Sequence, residues 1–182
     1  PPAAFLYRKR KPYHNVGPRD NARPETGQGP PAPDEKPMLN DIYTRQILTL
    51  ASDIPHLGRL ADPDATATAH SKLCGSTITV DLAMAGDTVR DFAHEVRACA
   101  LGQASASVMG QLVIGSTAQE LRDIREIMRR MLKQGGPAPA GRWEALAALE
   151  PVRDYPARHA STLLVFDAVA DALAQIEQRA SL

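Results

Sequence analysis

Two cysteines, Cys74 and Cys99, are the only thiols in the chain. Each stands where local structure changes. Cys74 opens "CGSTITVDL", at the mouth of an alternating segment, and Cys99 opens "CALGQASASVM", where a strand pattern gives way to small residues of helical type. A thiol at a helix start meets free backbone N–H groups and the positive end of the helix dipole, which favour its thiolate. That form is the one needed for soft-metal ligation or sulfur transfer. Two plainer roles stay open on these residues alone: inert buried side chains, or a disulfide between neighbours.

The elements around them decide whether the thiols meet. Ile78, Val80, Leu82 and Met84 alternate with Thr77, Thr79 and Asp81, the pattern of a half-buried strand. "AGDT" supplies turn chemistry, and "VRDFAHEVRA" reads as the antiparallel return. With the turn centred near Gly86, Ile78 faces His94 or Val96, and Val80 faces Phe92 or His94. Continuing that ladder sets Cys74 opposite residues 98 to 100, about 5 Å from Cys99 if directly paired. Residues 65–71 read as a weak edge strand.

Other segments complete the domain. Ile42, Ile47, Leu48 and Leu50 mark a first helix that ends before Pro55, and "IPHLGRL" follows as a loop. Thr117 and Glu120 form a capping box for a helix with the stripe Leu121, Ile124, Met128, Met131 and Leu132. "GRWEALAALEP" is expected to be a short helical insert ending at Pro151, anchored by Trp143, and "ARHASTLLVFDAVADALAQIEQ" a long final helix. Strands first and helices afterwards give an α+β fold, a small three-stranded antiparallel sheet with helices packed on one face. Of the histidines, His94 reads as a core position, His56 as a loop residue, and His70 as a neighbour of Cys74 on the first strand.

Composition bounds the function classes. The chain of 182 residues has formal charge zero, so no global field draws it to nucleic acid or an anionic membrane. No apolar run approaches the roughly 18 residues of a membrane span. Two cysteines exclude a disulfide framework and suit a reducing, cytoplasmic setting. Residues 1–37 carry nine of fifteen prolines and read as a disordered tail, with Arg8-Lys9-Arg10-Lys11 as a solvated basic run. Met38 is expected to be the natural start, with residues 1–37 upstream of it and 38–182 forming the domain.

Motifs in one order over about 140 residues add a resemblance. "IYTRQIL", "Pro55-His56-Leu57-Gly58", "CGSTITVDL", "CALGQASASVM" and "EALAALEPVRDYPARHASTLLVFDAV" are similar to successive segments of the IscU/NifU-type iron–sulfur cluster scaffold family, most closely its SufU-like branch. The resemblance implies a three-stranded antiparallel sheet with helices on one side. Three cysteines and an aspartate would gather at one end to bind a nascent iron–sulfur cluster or zinc. Carried over, Cys74 and Cys99 are the first two cysteines, Ser76 stands in the aspartate position and Ser161 in that of the third cysteine. His159, two residues before Ser161, is a further ligand candidate, and a second copy of the chain or a partner could complete the set.

The function so implied is a scaffold that accepts sulfur and iron at a two-cysteine site. Cys74 and Cys99 would be the sulfur acceptors, and the cluster a transient one of the 2Fe–2S type, with zinc as the lesser alternative. Cysteine desulfurase and recipient apo iron–sulfur proteins are the implied partners, with a homodimer as a further one and neither nucleic acid nor membrane among them. It is a carrier more than a turnover enzyme. Two alternatives are a SufU-like sulfur acceptor and a degenerate paralogue acting as an adaptor of the assembly machinery.

Overall fold

The computed structural model describes residues 43–181, which fall in a single compact unit. The expectations for residues 1–37 and for Met38 lie outside the described residues. The element order is α1 (Arg45–Ser52), β1 (Ala65–His70), β2 (Thr77–Ala85), β3 (Thr88–Arg97), α2 (Ala100–Leu112), α3 (Ala118–Gln134), a 3-10 insert (Gly141–Asp154) and α4 (Pro156–Ala180).

The sheet is antiparallel in the order β1-β2-β3. Its hairpin turns at Gly86, whose φ of 64° suits a residue without a Cβ. Ile78 pairs with Val96 and Val80 with His94, so the expected register holds. A bulge between Ala83 and Met84 takes up one residue near the turn. Ile78, Val80, Leu82 and Phe92 are buried on the inner face. There α4 packs on β1 and β2, and α2 packs on β3, while α1 lies on α2 and α3 on α4.

The outer face departs from simple alternation. Asp81 reads as solvent-facing by strand period, yet it is fully buried. The segment after α1 straps over it: Arg59 binds both carboxylate oxygens at 2.7 and 3.0 Å, and the Leu60 N–H and Thr66 hydroxyl donate at 3.0 and 2.6 Å. Burial pushes this carboxyl up, but those bonds outweigh it and hold Asp81 below the usual carboxylate range.

The insert also differs from expectation, because it runs through Pro151 as a 3-10 helix to Asp154. Its buried residues are Trp143, Leu146, Leu149 and Val152, spaced by three. A helix of three residues per turn puts all four on one line, whereas an α-helix would fan them out. Trp143 is the anchor foreseen, and its Nε1–H donates to Glu120 Oε1 at 2.8 Å. That contact takes the Glu120 side chain away from a reciprocal capping box. Thr117 still caps α3 by accepting from the Glu120 N–H at 3.1 Å.

Two close approaches fix the helices over the sheet. A Cβ on Gly102 of α2 would stand 2.8 Å from Ala98 Cβ and 2.9 Å from the Ser161 carbonyl oxygen of α4. Gly102 therefore sets how near α4 comes to the start of α2. His94, also fully buried, donates Nε2–H to the Pro55 carbonyl at 2.9 Å, and its Nδ1 has no hydrogen-bond partner.

Two outcomes follow for stability. Gly102→Ala should lower unfolding free energy by about 1–3 kcal/mol, read by urea denaturation, because the methyl meets backbone on the neighbouring helix. The second concerns His94, which burial above all, and the nearby His56 charge, push down to about 4. Its unfolded counterpart takes up a proton near 6.5. Between these values the unfolded chain binds a proton that the folded chain refuses, so stability falls as pH drops from about 6.5 to about 4. The loss should reach about 3 kcal/mol and be absent in His94→Gln, measured by denaturant titration at stepped pH.

Candidate functional site

The site lies at the open end of the β2–β3 hairpin, where β1 turns into β2. The β2–β3 ladder stops at Thr77–Arg97, so Cys74 is not a ladder partner of Cys99 as the extended register had it. It sits in the turn between β1 and β2 instead. That turn is closed by the Ser71 N–H donating to the Ser76 carbonyl at 2.8 Å and the Gly75 N–H donating to the Ser71 carbonyl at 2.9 Å. Gly75 at φ 70° supplies the curl. Both ends of the turn thereby fold toward the thiol between them.

The Cys74 sulfur reaches the Ser76 hydroxyl at 3.0 Å and the Ser71 hydroxyl at 3.2 Å. Ser161, on the first turns of α4, donates its hydroxyl to the Arg158 carbonyl at 2.9 Å. Cys99 is the N-cap of α2, and its own side chain makes no cap hydrogen bond. Its backbone N–H donates to Ser76 Oγ at 3.4 Å. A single hydroxyl thus joins the Cys74 thiol to the amide of Cys99. Both cysteines are free and half-buried, and Leu73 beside Cys74 is 76% exposed, so the turn is open to a visiting molecule.

Electrostatics single out Cys74. Burial pushes its thiol up, but hydrogen bonds from Ser71, from the side chain and backbone of Ser76, and from Ser161 more than offset this and bring it down to about 7. The polarity of the α2 start also reaches Cys74, because the Cys99 N–H donates to Ser76 Oγ and that oxygen lies 3.0 Å from the sulfur.

Other sequence candidates go elsewhere. His159 is buried and its Nε2 bonds the Val152 and Arg153 carbonyls at 3.1 and 3.0 Å, tying α4 to the end of the insert. Its first-turn position on α4 aims Nε2 at those carbonyls, so His159 ties the insert to the helix. His70 bonds through Nδ1 to Thr77 Oγ1 at 3.1 Å, across the ladder. Ser71 is the residue that sequence reasoning missed. Its signal was the run Ser-x-x-Cys-Gly-Ser, in which a glycine able to curl the turn brings both serines onto one sulfur.

As a donor set the site is incomplete for a resident metal. Among the described residues, no three of His, Cys, Asp or Glu form a group that could hold a metal ion. Serine hydroxyls stay protonated near neutral pH and are poor ligands for zinc, which takes four from thiolate, imidazole and carboxylate. Two thiols alone do not fit a zinc centre.

Comparison with known proteins places this geometry. The NifU-like N terminal domain model matches residues 42–162. The chain is 27% identical over 137 residues to the iron–sulfur cluster assembly scaffold protein IscU of Thermotoga maritima, covering 75% of this chain and 96% of that protein. It is 27% identical over 139 residues to the protein of the same name from Streptococcus pyogenes, covering 74% and 84%. Among solved structures, a NifU-like protein (N-terminal) from Brucella abortus superposes with TM-score 0.76 at 62% identity, over 78% of this chain and 98% of that one. A putative scaffold protein for the SUF system from Fervidobacterium islandicum shares the fold at TM-score 0.69 and 24% identity, over 75% and 99%. The sheet and its helices are therefore those of a family member: this chain belongs to the NifU-like N-terminal domain family.

Proposed function

We propose that this protein is an iron–sulfur cluster assembly scaffold that takes sulfur and iron at Cys74 and Cys99 and passes them on. The observation that carries this reading is the meeting of the two cysteines on Ser76, at the open end of the sheet, in a chain of this family. Scaffold proteins named IscU match nearly its whole folded part. The iron–sulfur unit is cargo here, assembled and released. A cysteine desulfurase is the sulfur donor, and apo iron–sulfur proteins are the recipients. Two free thiols call for a reducing compartment, and no described helix is long and apolar enough to cross a membrane.

The ligand count adds a partner. A 2Fe–2S unit is held by four thiolates or their imidazole equivalents, and the chain has two cysteines in all. By the family resemblance Ser76 and Ser161 stand in the other two ligand positions, and both are buried, at 4% and 0% exposure. The missing pair comes from a second copy of the chain, so that cargo is held between two copies and dissociation exposes it for transfer.

Anaerobic reconstitution with iron and sulfide, followed by native mass spectrometry, tests this. One cluster should travel with two chains, and Cys74→Ala and Cys99→Ala should each lose most of the cluster absorbance. Cluster retained on a single chain contradicts the two-copy arrangement. Cluster yield unchanged in the double variant contradicts the scaffold reading itself.

A further inference from the structure

The two edges of the sheet are finished differently. On β3 the segment after α1 pairs with the edge: the His94 N–H donates to the His56 carbonyl at 3.0 Å, and the Gly58 N–H to the His94 carbonyl at 2.9 Å. His94 therefore turns its main chain away from β2, and Val80 opposite it turns toward β1. Val80 pairs with Ala67. It follows that Ala65, Ala67 and Ala69 bond to β2, while Thr66, Thr68 and His70 present their N–H and C=O groups to the outer edge of β1.

Helix α4 closes only part of that edge. Arg179 Nη1 donates to the Asp64 carbonyl at 2.6 Å, and Gln175 Nε2 to the Thr66 carbonyl at 3.0 Å. Four residues of helix advance about 6 Å and two of strand about 6.6 Å, so the same stripe brings Asp171 to the level of Thr68. There the donors give way to an exposed carboxylate, which has no proton for the Thr68 carbonyl. Among the described residues, no group bonds the edge-facing main chain of Thr68 or His70. The strand reads Ala-Thr-Ala-Thr-Ala-His, without the proline, lysine or bulge that guards a free edge. Its open end runs into the turn that carries exposed Lys72, Leu73 and Cys74.

An edge sealed at one end and unguarded at the other is built for an added strand. We propose that an extended segment of a partner polypeptide binds as a fourth strand on β1, bonding the main chain of Thr68 and His70 and setting a lysine or arginine against Asp171. Main-chain pairing supplies the affinity, and Asp171 supplies the charge preference. The added strand leads toward the Cys74 turn, where Leu73 is 76% exposed. A second copy does not suit this edge. Antiparallel pairing of β1 with itself points the two Cys74 turns in opposite directions, and β1 carries no lysine or arginine to meet Asp171. The surface is independent of the assembly reading, because free main-chain groups define it.

A capped hexapeptide, Thr-Val-Lys-Val-Thr-Val, titrated into the full chain is the probe, read by amide resonances and amide hydrogen exchange. The Thr68 and His70 amides should exchange rapidly in the free chain and slow about tenfold or more with the peptide. Thr68→Pro removes an edge donor without touching the β2 ladder, and should abolish that protection with circular dichroism unchanged. Should that variant misfold, Asp171→Lys decides. It should weaken the lysine peptide about threefold or more and favour a peptide with glutamate in place of lysine. Thr68 and His70 amides that ignore the peptide, binding that survives Thr68→Pro, or equal affinity for the lysine and glutamate peptides would each overturn the proposal. Protection present without peptide and lost on dilution assigns the edge to a second copy. Protection lost on removal of residues 1–37 assigns it to the chain's own N-terminal segment. Either of these results also overturns the partner strand.

Discussion

The hydroxyl of Ser76 holds the functional end of this molecule together, because it touches both halves of the site at once. It meets the Cys74 sulfur at 3.0 Å and accepts the Cys99 amide at 3.4 Å. That amide stands at the start of α2, where backbone N–H groups lack intrahelical partners. Through one oxygen the polarity of a helix terminus reaches a thiol on a different element. A carboxylate at this position would place a negative charge beside the sulfur and disfavour its thiolate. A serine does the opposite, so the residue that weakens metal ligation also favours anionic sulfur.

The rest of the fold serves that placement. The β2–β3 register, pinned by the Gly86 turn, carries Cys99 to the level of Ser76. Asp81, clamped by Arg59, fastens the long connection from α1 across the outer face of the sheet. On the inner face, Gly102 lets the Ser161 backbone lie against α2, and the insert holds the start of α4 through His159. The core is dense at these contacts. Side chains there are set by backbone approach more than by their own reach.

Much of this was legible in the residues. Period-two alternation gave β2 and β3, and the Gly-Asp turn gave their register. The stripe from Leu121 to Leu132 gave α3, and small residues gave a closely packed α2. What escaped has physical reasons. Asp81 breaks alternation because a distant arginine travels with a loop, and strand period says nothing about what straps a face. The insert repeats its buried side chains every third residue, so a 3-10 helix carries them past Pro151, where the expected helix ended. His159 was judged by its nearness to Ser161 in sequence, while its ring was taken by two carbonyls at the end of the insert. Ser71 was missed because a tight turn brings together residues that a ladder keeps apart.

Hydroxyl donors, without a resident cation, bring the Cys74 thiol down to the neutral range. Titration of thiolate ultraviolet absorbance in metal-free Cys99→Ala protein reads that directly, since Cys74 is then the only thiol. An inflection near 7 is expected. An inflection at the ordinary thiol value, about 8.5 or above, would contradict it.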